Sequence, residues 1–368
     1  MRLSARQWLV VAVVALIGAF AVPALWKRVE RFPTGPDYRI PYAISSDYWL
    51  YQRRLEKIPE GTIPVVGDSV VWGEYVRANG TLSHFLNVQA GRPDRFANCG
   101  VNGVFPLALE GLLDYYGGPI GGRKVVLQYN MLWMSSPKAD LSTEEEQTFN
   151  HAMLVPQLFT KIPCYRADAV TRLGAMAERS IGMCGWVQHI DDVYFDGMSI
   201  PAWTLQPDND NPSRSPNAWR NPLARITMRV PGEPAVDPQR GPGSSRHKPW
   251  TAGGAAPQSF EWVGLRASLQ WAAFRRTVAR LKARGCDVMV ILGPFNEHMV
   301  APEQRPQYRQ MRDGIAAWLG SQRIPHVVPD TLPSDLYADA SHPLTEGYDR
   351  LASRIYSDPS FQSWLAAK

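Results

Sequence analysis

Five short apolar runs, separated by longer segments with helical periodicity, organise the chain from residue 62 onward. We assign strands to residues 62–66, 96–99, 125–129, 288–292 and 325–328. Strands that alternate with helices in this way are typical of an α/β fold with a central parallel sheet. Two of the helices carry apolar residues at steps of three and four, which predicts that these side chains are buried: Trp271, Phe274, Val278, Leu281, Tyr308, Met311, Ile315 and Trp318.

The length of 368 residues, 45% of them hydrophobic, is enough for one large domain with an elaborated insertion. We place this domain at residues 62–368, after a polar, proline-containing lead-in at 32–61. The insertion covers residues 131–269, and its Pro/Gly-rich part, 206–258, is expected to be irregular. Its first half, with helix-compatible stretches at 141–181, forms either a cap beside the site or a surface elaboration. Trp133 in this insertion either packs internally or stacks on a sugar ring.

The first 31 residues contain an uncharged stretch, residues 8–26, with basic residues on both sides: Arg2, Arg6, Lys27, Arg28 and Arg31. Its length is close to the roughly 20 residues that span a bilayer, which favours a transmembrane signal anchor. Ala19-Phe20-Ala21 is also an acceptable cleavage site, so a removed signal peptide is the alternative. Both interpretations place the rest of the chain outside the cytoplasm, in the periplasm or the extracellular space.

Charge and cysteine content exclude some classes of function. The net charge of +5 comes with acidic residues spread through the chain and no long basic run, so we do not expect nucleic acid binding. The spacing of the four cysteines matches no metal motif, and we predict neither a metal nor a cofactor. Cys164 and Cys184 could form a disulfide outside the cytoplasm, worth about 3 kcal/mol, whereas Cys99 and Cys286 are expected as buried thiols.

The first candidate catalytic group is Ser69, which follows the first strand in the sequence Gly67-Asp68-Ser69. A serine between a strand and a helix exposes its hydroxyl at the carboxyl end of the sheet, beside a backbone N–H that favours negative charge. Asp68 and Ser69 are also good helix caps, which is the simpler explanation of the tripeptide alone.

The second candidate group is the pair Asp339 and His342, on a predicted turn before the amphipathic helix at residues 346–356. A histidine at this spacing can donate one ring N–H to the carboxylate and use its other nitrogen to accept a serine proton. The serine hydroxyl needs such a base to become a nucleophile. An N-cap beside a surface histidine is the alternative explanation of this pair.

Acyl transfer also requires hydrogen-bond donors for the oxyanion of the tetrahedral intermediate. The sequence Asn98-Cys99-Gly100-Val101-Asn102-Gly103 closes the second strand with glycines that allow close backbone approach, and Asn130 follows the third strand. A backbone N–H of the first and the side-chain amide of the second are candidate donors. Either residue alone is an ordinary turn residue.

In chain order these pieces resemble the SGNH or GDSL-type hydrolase superfamily. Ser69 matches its nucleophile block, Gly103 and Asn130 its second and third blocks, and Asp339 with His342 its terminal Asp-x-x-His. The resemblance covers residues 62–130 and 286–357 and implies a three-layer flavodoxin-like fold. It also implies an oxyanion hole made by the amides of Ser69 and Gly103 and the side chain of Asn130.

The resemblance implies an exported serine esterase acting on an acylated carbohydrate or a lipid-like ester. A cell-envelope polysaccharide O-acyltransferase is the second hypothesis, since a sugar hydroxyl can replace water as the acceptor and a membrane-embedded partner can supply the acyl group. A non-catalytic carbohydrate-binding scaffold is the third. The expected partners are thus an ester or acylated carbohydrate and, through the N-terminal helix, a membrane.

Overall fold

A five-stranded parallel sheet forms the centre of the protein, described here by a computed structural model over residues 3–158, 161–206, 220–232 and 248–367. The strands are β1 (Ile63–Gly67), β2 (Phe96–Gly100), β3 (Lys124–Tyr129), β4 (Asp287–Leu292) and β5 (His326–Val327). They lie in the order β2-β1-β3-β4-β5, and each neighbouring pair is parallel. The predicted α/β class and its five strands are confirmed, with strand ends within one residue of the expected positions.

Helices cover both faces of the sheet. The α-helices of the described residues are α1 (Ala5–Val29), α2 (Tyr48–Lys57), α3 (Ser69–Trp72), α4 (Leu82–Gln89), α5 (Pro106–Tyr116), α6 (Pro137–Asp140), α7 (Ala169–Ser180), α8 (Gly182–Tyr194), α9 (Ile200–Thr204), α10 (Leu269–Ala283), α11 (Arg305–Ser321), α12 (Thr345–Ser357) and α13 (Pro359–Ala366).

Successive strand residues point to opposite faces, as strand geometry requires. Val66 and Leu127 join a core with α2, α5, α10 and α11, whereas Val65 and Val126 join one with α4, α12 and α13. The predicted apolar faces of α10 and α11 are buried in the first of these cores, with Trp318 partly exposed at its edge. Strands β2 and β3 lie on opposite sides of β1, so the strand order reverses its direction there. Open α/β sheets bind ligands outside the carboxyl ends of their strands at such a reversal.

Residues 32–61 contribute to the core instead of forming a polar lead-in. The aromatic run that begins at Tyr48 supplies the buried face of α2, where Tyr51 and Leu55 are almost completely enclosed. Arg39 is also buried. The ordered domain therefore begins before Thr62, because these residues cover one face of the sheet.

The insertion at residues 131–269 carries α6 to α9, and α7 lies in the stretch where helices are expected. Most of its Pro/Gly-rich part falls at 207–219 and 233–247, outside the described residues. All four cysteines are free, so the disulfide that Cys164 and Cys184 could form is not present. The Cys164 sulfur is buried 3.5 Å from the carbonyl oxygen of Leu141, turned toward the core. Cys99 and Cys286 are buried, as expected.

The N-terminal apolar helix is present as α1, which is long and apolar enough to cross a membrane and is largely uncovered by protein. Its last turns pack along α8.

Just beyond α1, buried polar side chains meet in what we call the Glu30 cluster, which consists of Glu30, Asp47, Arg53, His189 and Tyr194. Both ring nitrogens of His189 face carboxylates, with Asp47 at 2.6 Å and Glu30 at 2.9 Å. Since carboxylates only accept, His189 is held as the imidazolium.

Candidate active site

Ser69 is the first residue of the single helical turn α3, directly after the carboxyl end of β1. Asp68 caps this turn by accepting the N–H of Val70 at 2.9 Å, so capping is performed by Asp68 and leaves the Ser69 hydroxyl for another contact. Gly67 permits the tight junction, because a Cβ at this position would lie 2.5 Å from a methyl group of Val71. The strand-to-turn geometry thus fixes the position of the serine at the reversal of strand order.

The loop before α12 brings His342 to Ser69 across 273 residues of sequence. Nε2 of His342 lies 2.8 Å from the Ser69 hydroxyl oxygen, and Nδ1 lies 2.8 Å from each carboxylate oxygen of Asp339. Asp339 also accepts the backbone N–H groups of Ser341 and His342, each at 2.9 Å, which holds its carboxylate in place. The arrangement lets the histidine donate from Nδ1 and accept a hydrogen bond from the serine hydroxyl at Nε2, which is the geometry that a general base requires.

The electrostatic environment favours a proton on His342. Burial has the largest effect and lowers the pKa of this histidine, but Asp339, Glu74 and Asp68 together outweigh it and raise the pKa above its ordinary value. Burial likewise opposes charge on Asp339, yet His342 keeps the pKa of this carboxyl below its ordinary value. Asp339 therefore remains ionised while it orients the imidazole of His342.

Asn130 is positioned beside the serine turn by contacts at both ends of its amide. Its oxygen accepts the N–H of Leu132 at 3.0 Å, and its nitrogen donates to the second carboxylate oxygen of Asp68 at 2.8 Å. The indole N–H of Trp133 donates to the same oxygen at 2.8 Å. Burial raises the pKa of Asp68, against the effect of these donors. The Asn130 nitrogen is thus directed toward the residue that precedes Ser69, with one N–H left for a second acceptor.

Gly103 adopts a left-handed conformation at φ 73°, in the loop after β2. The end of β2, which leads into that loop, is fastened to the Ser69 turn, because the side chain of Asn98 donates to the carbonyl of Val71 at 2.8 Å, and Val101 in the loop donates its N–H to the carbonyl of Gly67 at 3.1 Å. Gly100 allows the close approach, since a Cβ there would lie 2.2 Å from the backbone nitrogen of Trp72. The structure thus places Ser69, His342 and Asp339 in one hydrogen-bonded series, Asn130 one contact away, and Gly103 in the loop packed against them.

Three residues near the site have no recognisable signal in the sequence. Glu74 places a carboxylate oxygen 3.6 Å from Nε2 of His342, and Tyr75 packs edge-on against the imidazole ring with centroids 5.3 Å apart. Arg39 reaches the loop that carries them, donating to the carbonyls of Trp72 and Val76, each at 2.7 Å. The loop after Ser69 and α3 is therefore held by an arginine from the segment that was expected to be a lead-in.

A cavity of about 410 Å³ opens beside Gly103, between the β2 loop and the first part of the insertion. Its lining includes three aromatic side chains, Phe105, Trp133 and Phe149. The polar side chains of Lys138 and Asn150 also line it. This lining suits a ligand with both apolar faces and polar edges. Trp133 thus takes part in both the cavity and the Asp68 contacts.

Within the described ranges no group of three or more His, Cys, Asp or Glu side chains is arranged to hold a metal ion. Comparison with models of known protein families finds no match for this chain, and comparison with curated proteins finds none either. The geometry of the site is therefore the basis for a functional assignment.

Proposed function

We propose that this chain is an exported serine esterase of the SGNH/GDSL type that works through a Ser69 acyl-enzyme. The observation that carries the proposal is the hydrogen-bonded series from Asp339 through His342 to Ser69 at the carboxyl end of β1. The strand order 2-1-3-4-5, which flavodoxin-like sheets share, supports it. The positions of Asn130 after β3 and Gly103 after β2 support it as well.

In the first half-reaction, Nε2 of His342 takes the Ser69 proton while the serine oxygen attacks the ester carbonyl. The negative oxygen of the tetrahedral intermediate is stabilised by the N–H groups of Ser69 and Gly103 and by the Asn130 amide. His342 then gives its proton to the departing alcohol. In the second half-reaction His342 deprotonates water, which attacks the acyl-enzyme, releases the acid and restores Ser69.

An O-acyltransferase is the second candidate, in which a sugar hydroxyl replaces water in the second half-reaction. The packing of α1 along α8 favours it, because a membrane span fixed to the domain keeps the site near a membrane-embedded acyl donor. The same packing favours α1 as a retained anchor, and the proposal places the domain outside the cytoplasm. Removal at Ala19-Phe20-Ala21 is the alternative, and sequencing the N-terminus of the mature protein distinguishes the two.

The enzyme proposal is tested by covalent labelling with a fluorophosphonate probe. The wild-type protein is expected to be labelled at Ser69, and the Ser69→Ala and His342→Ala variants are expected to lose about 10⁴-fold or more in ester turnover. Ser363→Ala, an exposed serine on α13, is the matched control and should retain full activity. An unlabelled, folded wild-type protein would exclude catalysis and leave the carbohydrate-binding scaffold as the surviving hypothesis.

The acceptor is identified by measuring acetate release from a small ester with and without an oligosaccharide. Release that is fast in water alone supports the esterase. Turnover that requires the oligosaccharide, with acetyl groups recovered on the sugar, supports the transferase.

A further inference from the structure

The contacts between α1 and α8 define how the domain sits on its membrane helix. Trp26 meets Trp186 edge-on with ring centroids 5.5 Å apart, and four residues later Glu30 pairs with His189. Trp26 also meets Tyr194, with ring centroids 6.3 Å apart, so its ring faces the stretch from 186 to 194, whereas Glu30, just past α1, contacts His189 and Tyr194. The carboxyl end of α1 thus lies beside the carboxyl end of α8, which indicates that the two helices run in the same direction. The amino end of α8, at Ile181 and Gly182, consequently points back along α1 into its apolar stretch.

The length of α1 that is free of the domain is too short to span a bilayer. Residues 5–17 are all exposed, whereas from Ala19 to Lys27 one face of the helix is covered, with Pro23 buried and Trp26 partly buried. The other face stays open, as Phe20 at 78% exposure shows. The exposed part of the uncharged stretch, residues 8–17, spans only about 15 Å of the roughly 30 Å hydrocarbon core. The remaining half must come from the stretch with one covered face, which ends at Trp26 beside Trp186 of α8. The start of α8 therefore lies at the depth of the nearer leaflet.

The junction of α7 and α8, residues 180–188, has the composition that this depth requires. It contains no charged residue, and Ile181 and Val187 are 50% and 40% exposed. The charged residues on either side are turned away from it: Arg179 stacks on the Tyr115 ring and donates to the carbonyl of Val155, and His189 is buried against its carboxylate partners. Ile181 lies five residues before Trp186, or about 7 Å deeper along the helix axis. Interfacial helices bury their apolar faces by about 5–10 Å.

We propose that the α7–α8 junction, residues 180–188, is inserted into the lipid leaflet beside α1. The occupant of this surface is phospholipid, and the domain thus has a second point of membrane attachment. The proposal rests on α1 as a membrane span, and it is independent of the chemistry at Ser69. Lipid contact with Ile181 would hold the domain in one orientation above the bilayer.

The test uses the full chain in phosphatidylcholine–phosphatidylglycerol vesicles, with a Cys184→Ser background and an environment-sensitive fluorophore on one introduced cysteine. Ile181→Cys is compared with Val88→Cys, a matched control on α4 that is 57% exposed and lies on the opposite face of the sheet. Ala12→Cys reports on α1 itself. Thermal unfolding shows that each labelled protein is folded.

Spin-labelled phosphatidylcholine is expected to quench positions 12 and 181 several-fold more strongly than position 88, and aqueous iodide should show the reverse order. If the spin-labelled lipid quenches position 12 strongly but quenches position 181 no more than position 88, the proposal is overturned and α1 remains a membrane span. Protection of position 181 from both quenchers also overturns it, because a protein partner or a second copy would then cover the junction. Absence of lipid quenching at position 12 removes the anchor and the proposal together, whereas fluorophosphonate labelling still reports on the proposed esterase.

Discussion

Raising the pH should destabilise the protein through one buried histidine of the Glu30 cluster. Burial opposes the charge of His189, but Asp47 and Glu30 outweigh burial and raise its pKa from 6.5 to about 9. A raised histidine pKa means that the folded state holds the proton more tightly than the unfolded state. The resulting stabilisation is fully present below pH 6.5 and is lost as the pH rises through about 9. This difference corresponds to about 3 kcal/mol in the free energy of unfolding.

The measurement is urea unfolding of the full chain in detergent micelles, followed by tryptophan fluorescence across this pH range. Glu30→Gln removes one of the two carboxylates and should reduce the pH dependence. His84→Gln is the control, because its ion pair with Asp37 is partly exposed and such pairs contribute less than about 1 kcal/mol. Its unfolding should keep the wild-type pH dependence.

A wild-type free energy of unfolding that stays constant over this range would refute the argument. The same conclusion follows if Glu30→Gln retains the full wild-type slope, since the proton would then be held by other groups. A change confined to the α1–α8 contact, with the sheet still folded, would show instead that the cluster stabilises only the membrane helix.

Three further predictions concern the site. The kcat/KM for a small ester should rise with pH through a pKa above the ordinary histidine value. Glu74→Gln should shift this rise to lower pH, because it removes a negative charge beside His342. An unshifted pH–rate profile would contradict the effect of Glu74 on the pKa of His342. Asn130→Ala should lower kcat by about 10²–10³ with little change in KM, as loss of an oxyanion donor does, and steady-state kinetics measure both. Arg39→Met should lower the free energy of unfolding by about 3 kcal/mol, because buried carbonyls lose a charged donor. An unchanged denaturant midpoint in chemical unfolding would disprove this.

The sequence predicted the features that have a local signature. The strands are visible as apolar runs, and Ser69, Asp339 and His342 are chemically unusual residues at turns, which the fold then brings together. Trp133 and Arg39 act across 65 and 33 residues of sequence, at Asp68 and Trp72 respectively, and no local pattern reports such contacts.

The helix α2 was missed for a related reason. Its sequence is rich in arginine and aromatic residues, and its charged side chains become buried only because distant partners compensate them. Arg53 is enclosed by Glu30 and by the rings of Phe32 and Trp49. Burial of a paired charge depends on the assembled fold, so polarity along the chain indicated an exposed segment where the structure has core.

The Glu30 cluster also determines where this chain can be shortened to give a soluble fragment. A fragment that starts after residue 30 loses the carboxylate that pairs with both Arg53 and His189, leaving buried positive charge at a cost of about 3–5 kcal/mol. Cleavage after Ala21, in contrast, keeps Trp26 and Glu30 in the mature chain. Signal removal and a stable domain are therefore compatible, whereas a fragment cut at the first strand would lack part of its own interior.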